Sequence, residues 1–226
     1  MKDAPGQRRL SEDPGPESGV ARGGAQVLIF PEAGLAAVDD AGLVKMLVGG
    51  DARAPRVVWQ RFAPLVHRLL RRAFGPEYDV ADLVQEVFLV LFRRAHTMRE
   101  PQALTAFVIS ITAHTIRYEL RRKTALSWLR FGDTEVAAAA EADLDAREAV
   151  KRLYRILDHL SSNDRTAFVL RFIEGLEIAD LARTLGVSPA TTKRRVAHAW
   201  RRVVVHARRD AALVGYLASL RPVESS

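Results

Sequence analysis

The 226-residue chain has no cysteine. Disulfides, thiolate metal sites and cysteine nucleophiles are therefore excluded, and a reducing compartment suits it. Long apolar runs are missing too: none approaches the roughly 20 residues that a bilayer span needs. The opening "MKDAPGQRRLSEDPGPESG" carries charge but no apolar centre of the signal-peptide kind. The expectation is a soluble, cytoplasmic protein without membrane insertion. Catalytic signatures are absent as well, with no glycine-rich phosphate loop, no "HExxH" and no serine elbow. His67, His96, His114, His159, His198 and His206 show no metal-ligand spacing. We expect no enzyme, no cofactor and no metal.

Lysine is scarce, at five residues, yet Lys and Arg together number 34 against 27 Asp and Glu, for a net charge of +7. Arginine supplies nearly all of the excess. Its planar fork suits phosphate, so an anionic partner is expected, with nucleic acid first.

Hydrophobic residues make up 48% of the chain, enough for ordinary cores. Residues 1–38 are rich in Gly, Pro, Ser and charge and read as a disordered extension. From Asp39 the apolar residues fall at helical spacing. Leu43, Met46 and Leu47 form a short helix stopped by Gly49-Gly50. A second helix, carrying Val58, Phe62, Val66, Leu69 and Leu70, ends at Gly75-Pro76, and Pro64 is expected to kink or split it. His67 is expected at the edge of the core. A third helix holds "DVADLVQEVFLVLF", a loop spans His96 to Gln102, and a fourth helix runs from Leu104 to Leu120. No stretch alternates with period two over a useful length, which predicts an all-α fold. Residues 39–123 make one helical domain, 124–145 an Ala-rich, acidic linker, and 146–209 a second helical domain. Residues 210–226 form a tail that can fold as a short helix.

The second domain is the more informative. Ser161 offers an N-cap before the helix beginning at Arg165. Ile178, Leu181, Ala182 and Leu185 then form a short amphipathic helix, Gly186 suits a left-handed turn, and Ser188 caps the next helix with Pro189 at its first position. That is a helix-turn-helix, whose second helix enters the major groove. From Gly186 to Arg209 there are seven basic residues and no acid. Ser188, Thr191, Thr192, Lys193, Arg194, Arg195 and His198 are the candidates for base edges and phosphates; Val196, Trp200 and Val203 belong to the core.

Two stretches of the first domain stand out. "RYELRRK", with His114 one turn before it, sets Arg117, Arg121, Arg122 and Lys123 beside Tyr118, a pattern that suits single-stranded nucleic acid. Basic residues at a helix end also satisfy the dipole. "EYDVADLVQEVFLVLF" does the opposite: it has four acids and no basic residue within a strongly basic chain.

Taken together, these segments resemble a known family. "DVADLVQEVFLVLF" is similar to the polymerase-binding helix of bacterial sigma factors. "RTAFVLRFIEGLEIADLARTLGVSPATTKRRVAHAWRRV" resembles their minus-thirty-five-binding domain. Their order and separation point to the extracytoplasmic-function (ECF) group of the sigma-70-like family. The resemblance implies that the acidic helix lies on the clamp of the largest subunit of core RNA polymerase, with Asp82, Gln85 and Glu86 at the interface and Leu83 supporting them. It implies minus-thirty-five recognition by the second helix of the helix-turn-helix. It also implies capture of locally melted minus-ten DNA by the His96–Leu104 loop and by His114, Arg117, Tyr118, Arg121, Arg122 and Lys123. An anti-sigma protein is an expected further partner. The chain departs from the family where Phe107-Val108 replaces a frequent Trp-Leu pair and His114 a frequent Asn. Thr192 and Arg194 stand where an aliphatic and a small polar residue are common. The competing reading is a stand-alone helix-turn-helix regulator, which leaves "DLVQEVF" without a role.

Overall fold

Residues 38–129, 144–208 and 210–220 are described by the computed structural model. The expected amino-terminal extension lies outside them apart from Val38, as do residues 130–143 of the expected linker. Among the described residues all regular structure is helical.

Helix α1 (Asp40–Val48) opens with the Asp39 carboxylate accepting from Gly42 N at 2.8 Å, and closes at Gly49. Helix α2 (Ala54–Phe74) follows a turn in which Asp51 accepts from the backbone and guanidinium of Arg53. Pro64 does not split it: α2 is continuous, because the proline lies on the exposed face while Phe62, Val66, Leu69 and Leu70 anchor the helix on either side. His67 is exposed rather than at the core edge. Gly75, at φ 101°, ends α2 in a conformation that disfavours a side chain. Helix α3 (Ala81–Arg94) begins later than the acidic stretch does. Glu77 and Asp79 belong to the preceding turn, where Asp79 accepts from Ala81 N at 2.9 Å. Two short 3-10 turns, Ala95–Thr97 and Pro101–Ala103, occupy the expected loop. Helix α4 (Leu104–Leu129) continues well past Leu120, into the expected linker.

The second half contains α5 (Leu144–Asp158), α6 (Ser162–Phe168) continued by a π-turn over Val169–Ile173, α7 (Ile178–Leu185), α8 (Pro189–Ala207) and α9 (Ala211–Leu220). Ser161 caps α6, with Asp164 N donating to its hydroxyl at 3.1 Å and the hydroxyl donating back to the Asp164 carboxylate at 2.8 Å. Gly186 takes the left-handed turn at φ 66°, and Ser188 caps α8.

One core lies among α1–α4, built on Phe62, Val66, Val87, Phe88, Leu91 and Val108. Another lies among α5, α6, α8 and α9, built on Leu153, Leu157, Phe168, Val203, Leu213 and Leu217. A third cluster joins the halves: Leu69 of α2 and Ala113 of α4 pack with Ala167, Leu170, Leu181, Leu185 and Val196. Polar bonds line this seam. Ser110 donates to the Thr184 carbonyl at 3.2 Å, and Arg117 to that of Leu185 at 3.3 Å. At the other end, Tyr154 Oη donates to the Arg72 carbonyl at 3.0 Å and Arg165 Nε to that of Ala73 at 2.9 Å. Each half thus caps a helix end of the other, supplying donors to carbonyls that a helix cannot satisfy alone.

Candidate polymerase and nucleic-acid interface

Period 3.6 puts Asp82, Gln85, Glu86 and Leu89 along one side of α3. All four are exposed, Leu89 at 54%. Leu83 is 8% exposed and buries its side chain in the first core, so it supports the stripe from beneath. Leu89 was not singled out from the sequence, although its three-residue spacing from Glu86 is the signal that would have found it. Trp59 of α2, 40% exposed, rests on Phe88 with ring centroids 4.3 Å apart. The stripe is acidic, apolar-flanked and backed by a rigid core.

The basic face of α4 is less uniform than the sequence suggests. His114, Tyr118 and Arg121 are exposed. Arg117 is half-buried and held by the Leu185 carbonyl; burial first, then the nearby Arg121 and Arg195, lowers the basicity of its guanidinium. Arg122 grips the buried Glu119 carboxylate through Nε and Nη2, at 2.7 and 2.8 Å. Lys123 places its ammonium 4.4 Å from the centre of the Tyr78 ring. The His96–Leu104 loop borders a cleft of about 640 Å³ that α7 closes from the other side. A second cleft, of about 420 Å³, brings Glu86, Arg94, His114, Arg117, Tyr118 and Arg183 together across the seam.

On α8, Lys193 and Arg194 are exposed and Arg195 is half-buried beside Arg117. Ser188 is committed to capping: its hydroxyl accepts from Thr191 N at 3.2 Å and donates to Thr191 Oγ1 at 3.0 Å. Thr192 differs from expectation. It is fully buried, and its hydroxyl donates to the Ser188 carbonyl at 3.1 Å, so it locks the first turn and offers DNA no edge. His198 is exposed, with Nδ1 3.0 Å from the carboxylate of Asp164. His159 and His206 stack at 5.7 Å, but among the described residues no three His, Cys, Asp or Glu side chains come together as a metal site.

Comparison with known proteins settles the family. Residues 58–125 match sigma-70 region 2, and residues 151–203 match sigma-70 region 4. The ECF RNA polymerase sigma factor SigM of Mycobacterium tuberculosis is 32% identical over 178 residues, covering 79% of this chain and 86% of SigM. The chain belongs to the ECF sigma factors.

Ferric citrate uptake sigma factor FecI of Escherichia coli is more distant, at 27% identity over 58% of this chain and 77% of FecI. The solved structure of CnrH in complex with the cytosolic domain of CnrY shares the fold, with a TM-score of 0.54, 22% identity, and coverage of 76% of this sigma factor and 99% of CnrH. Region 2 of this sigma factor takes in most of α2, all of α3 and α4 to Ala125, and region 4 runs from α5 into α8. Helices α1 and α9 lie outside both matches. No described helix is long and apolar enough to cross a membrane. The activity is that of a sigma factor, directing promoter-specific transcription initiation by RNA polymerase.

Proposed function

We propose that this sigma factor docks on the clamp of the largest polymerase subunit through Asp82, Gln85, Glu86 and Leu89, with Leu83 beneath them. Lys193, Arg194 and Arg195 of α8 read the minus-thirty-five duplex, with Ser188 and Thr191 fixing the helix start and His198 at its flank. His114, Arg117, Tyr118 and Arg121, with the loop at residues 96–104, hold the melted minus-ten strand; Arg122 and Lys123 reinforce that helix end. The first domain spans 39–123 and the second 146–209. The protein acts in the cytoplasm, without a cofactor, and an anti-sigma protein holds it inactive.

The observation that carries this reading is the acidic stripe on α3. It is exposed, DNA would repel it, and a basic protein surface would hold it, in a chain otherwise suited to phosphate. The test is co-elution with bacterial core polymerase in size-exclusion chromatography, with the Asp82→Arg, Glu86→Arg double variant in parallel. The wild type is expected to co-elute and the variant to run alone. A folded wild type that fails to co-elute, or a double variant that co-elutes as well as wild type, overturns the docking role proposed for the α3 stripe.

A further inference from the structure

By their names the minus-thirty-five and minus-ten elements lie about 25 base pairs apart, or roughly 85 Å along B-DNA at about 3.4 Å per pair. In this structure the helices meant to hold them are neighbours. Helix α4 hydrogen-bonds the end of α7, which α8 follows after a three-residue turn. Arg117, a candidate minus-ten contact, is spent on the Leu185 carbonyl. The chain as it stands is closed and cannot reach both elements at once.

Besides the shared apolar cluster, a second set of polar contacts holds it closed at the opposite end of the seam. Glu174, whose side chain is 6% exposed, follows the π-turn and takes Arg72 at 2.6 Å and Arg68 at 3.4 Å. Arg72 also donates to the Ile173 carbonyl at 3.1 Å. Tyr154 and Arg165 cap the last turn of α2 through the Arg72 and Ala73 carbonyls. Arg165 is 3% exposed, lies against the Tyr154 ring and is paired with Asp158. A cation at a helix carboxy terminus is favoured by the dipole as well as by the bond. At the α4–α8 end the Ser110 and Arg117 bonds are opposed by one like-charge pair across the seam, Arg117 of α4 with Arg195 of α8.

We propose that Tyr154, Arg165 and Glu174 form a latch on the carboxy-terminal turn of α2, which keeps the free sigma factor closed and must release before both promoter elements are engaged. None of the three is on the α3 stripe or among the DNA candidates. The α3 stripe stays exposed in the closed form, so polymerase can dock before the latch opens. The ordering of DNA contacts rests on the function proposed above; the latch itself does not.

The absence of native cysteine allows clean labelling. Donor and acceptor dyes on Ala52→Cys and Val205→Cys, both exposed and away from the seam bonds, report the separation of the halves without polymerase or DNA. The wild type is expected to show high energy transfer. Glu174→Arg, which sets a third cation against Arg68 and Arg72, is expected to lower it, and adding Arg68→Glu with Arg72→Glu to restore it. Tyr154→Phe, which keeps the ring and removes the hydroxyl's bonds to the Arg71 and Arg72 carbonyls, should lower transfer less; helicity by circular dichroism shows that each variant is folded. In a second arm, the unlabelled Glu174→Arg protein should bind a duplex carrying both elements and a pre-melted minus-ten about 5- to 150-fold more tightly than wild type, the usual span of coupling between sites. Its affinity for a minus-thirty-five duplex alone should not change. Low transfer in the wild type, or transfer unmoved by Glu174→Arg, overturns the latch. Reduced transfer with unchanged two-element affinity overturns its role as a barrier to the promoter, whatever the polymerase experiment returns.

Discussion

The Tyr78 hydroxyl donates to Glu119 Oε1 across 2.7 Å, tying the turn before α3 to the middle of α4 through a carboxylate that is 3% exposed. The Arg122 bonds hold that carboxylate below the ordinary range, against the opposing effect of burial. Its contribution to stability is therefore present above the ordinary glutamate pKa and is lost as pH falls through the depressed value. Tyr78 goes the other way. Burial first, and then the bond to Glu119, pushes its phenol up from 10.0 to about 12. That contribution is present below pH 10 and is lost as pH rises from 10 to about 12. Urea unfolding at stepped pH should show an alkaline loss that is smaller in Tyr78→Phe than in the wild type, at a cost of about 1 kcal/mol near neutrality. The remainder includes the half-buried Tyr154 phenol, which burial also pushes up. An identical alkaline limb in the Phe variant would contradict the account.

On α8, residues that face outward and inward should separate cleanly. If Lys193 neutralises one phosphate, Lys193→Ala weakens minus-thirty-five binding across sequences and lowers the slope of log affinity against log salt by about 1. Arg194→Ala, if it removes a guanine contact, costs about 1–3 kcal/mol and relaxes preference at one base pair. Thr192→Val should leave the salt slope and the base preference intact while lowering stability by about 1 kcal/mol, since it deletes only the bond to Ser188. Anisotropy titrations at several salt concentrations distinguish the three.

Helix α9 lies beyond the region 4 match yet contributes Leu213 and Leu217, 2% and 4% exposed, to the second core. Leu213→Ala should destabilise the protein by about 2–5 kcal/mol. Gly215→Ala should do the reverse, by about 0.5–1 kcal/mol, because a methyl there meets nothing within 4 Å and a mid-helix glycine is costly. Thermal unfolding that moves the same way for both would mean that α9 does not dock.

Gly186→Ala tests the turn. A methyl there would find open space, but φ is 66°, so the cost is backbone strain alone, about 1 kcal/mol. Gly186→Asn should recover part of it, since asparagine visits the left-handed region more readily.

Much of this molecule was legible in its sequence where the signal is local. Ser161, Gly186, Ser188 and Pro189 mark their caps and turns by chemistry that acts over a few residues. The acids of α3 declare a face by helical spacing. Thr192 was misread as a DNA contact from its polarity: it falls in register with Val196, Ala199 and Val203, and that register buries it. Pro64 does not break α2, because packing on both sides outweighs one lost backbone bond. The seam was not legible, since Arg165 to Ala73 and Arg72 to Glu174 join residues 92 and 102 positions apart. Periodicity shows that Leu69 and Leu181 need cover, but not that they share a cluster.

The shared helix caps bear on modularity. Regions 2 and 4 are easily imagined as cassettes to be exchanged between relatives so as to recombine promoter preferences. Here a transplanted region 4 would carry Tyr154 and Arg165 to a foreign α2, and would leave behind a native α2 whose last carbonyls have lost their donors. Chimeras cut within residues 130–143 should therefore inherit the recognition helix intact and lose stability at a joint far from the cut, unless the final turn of α2 is moved with region 4.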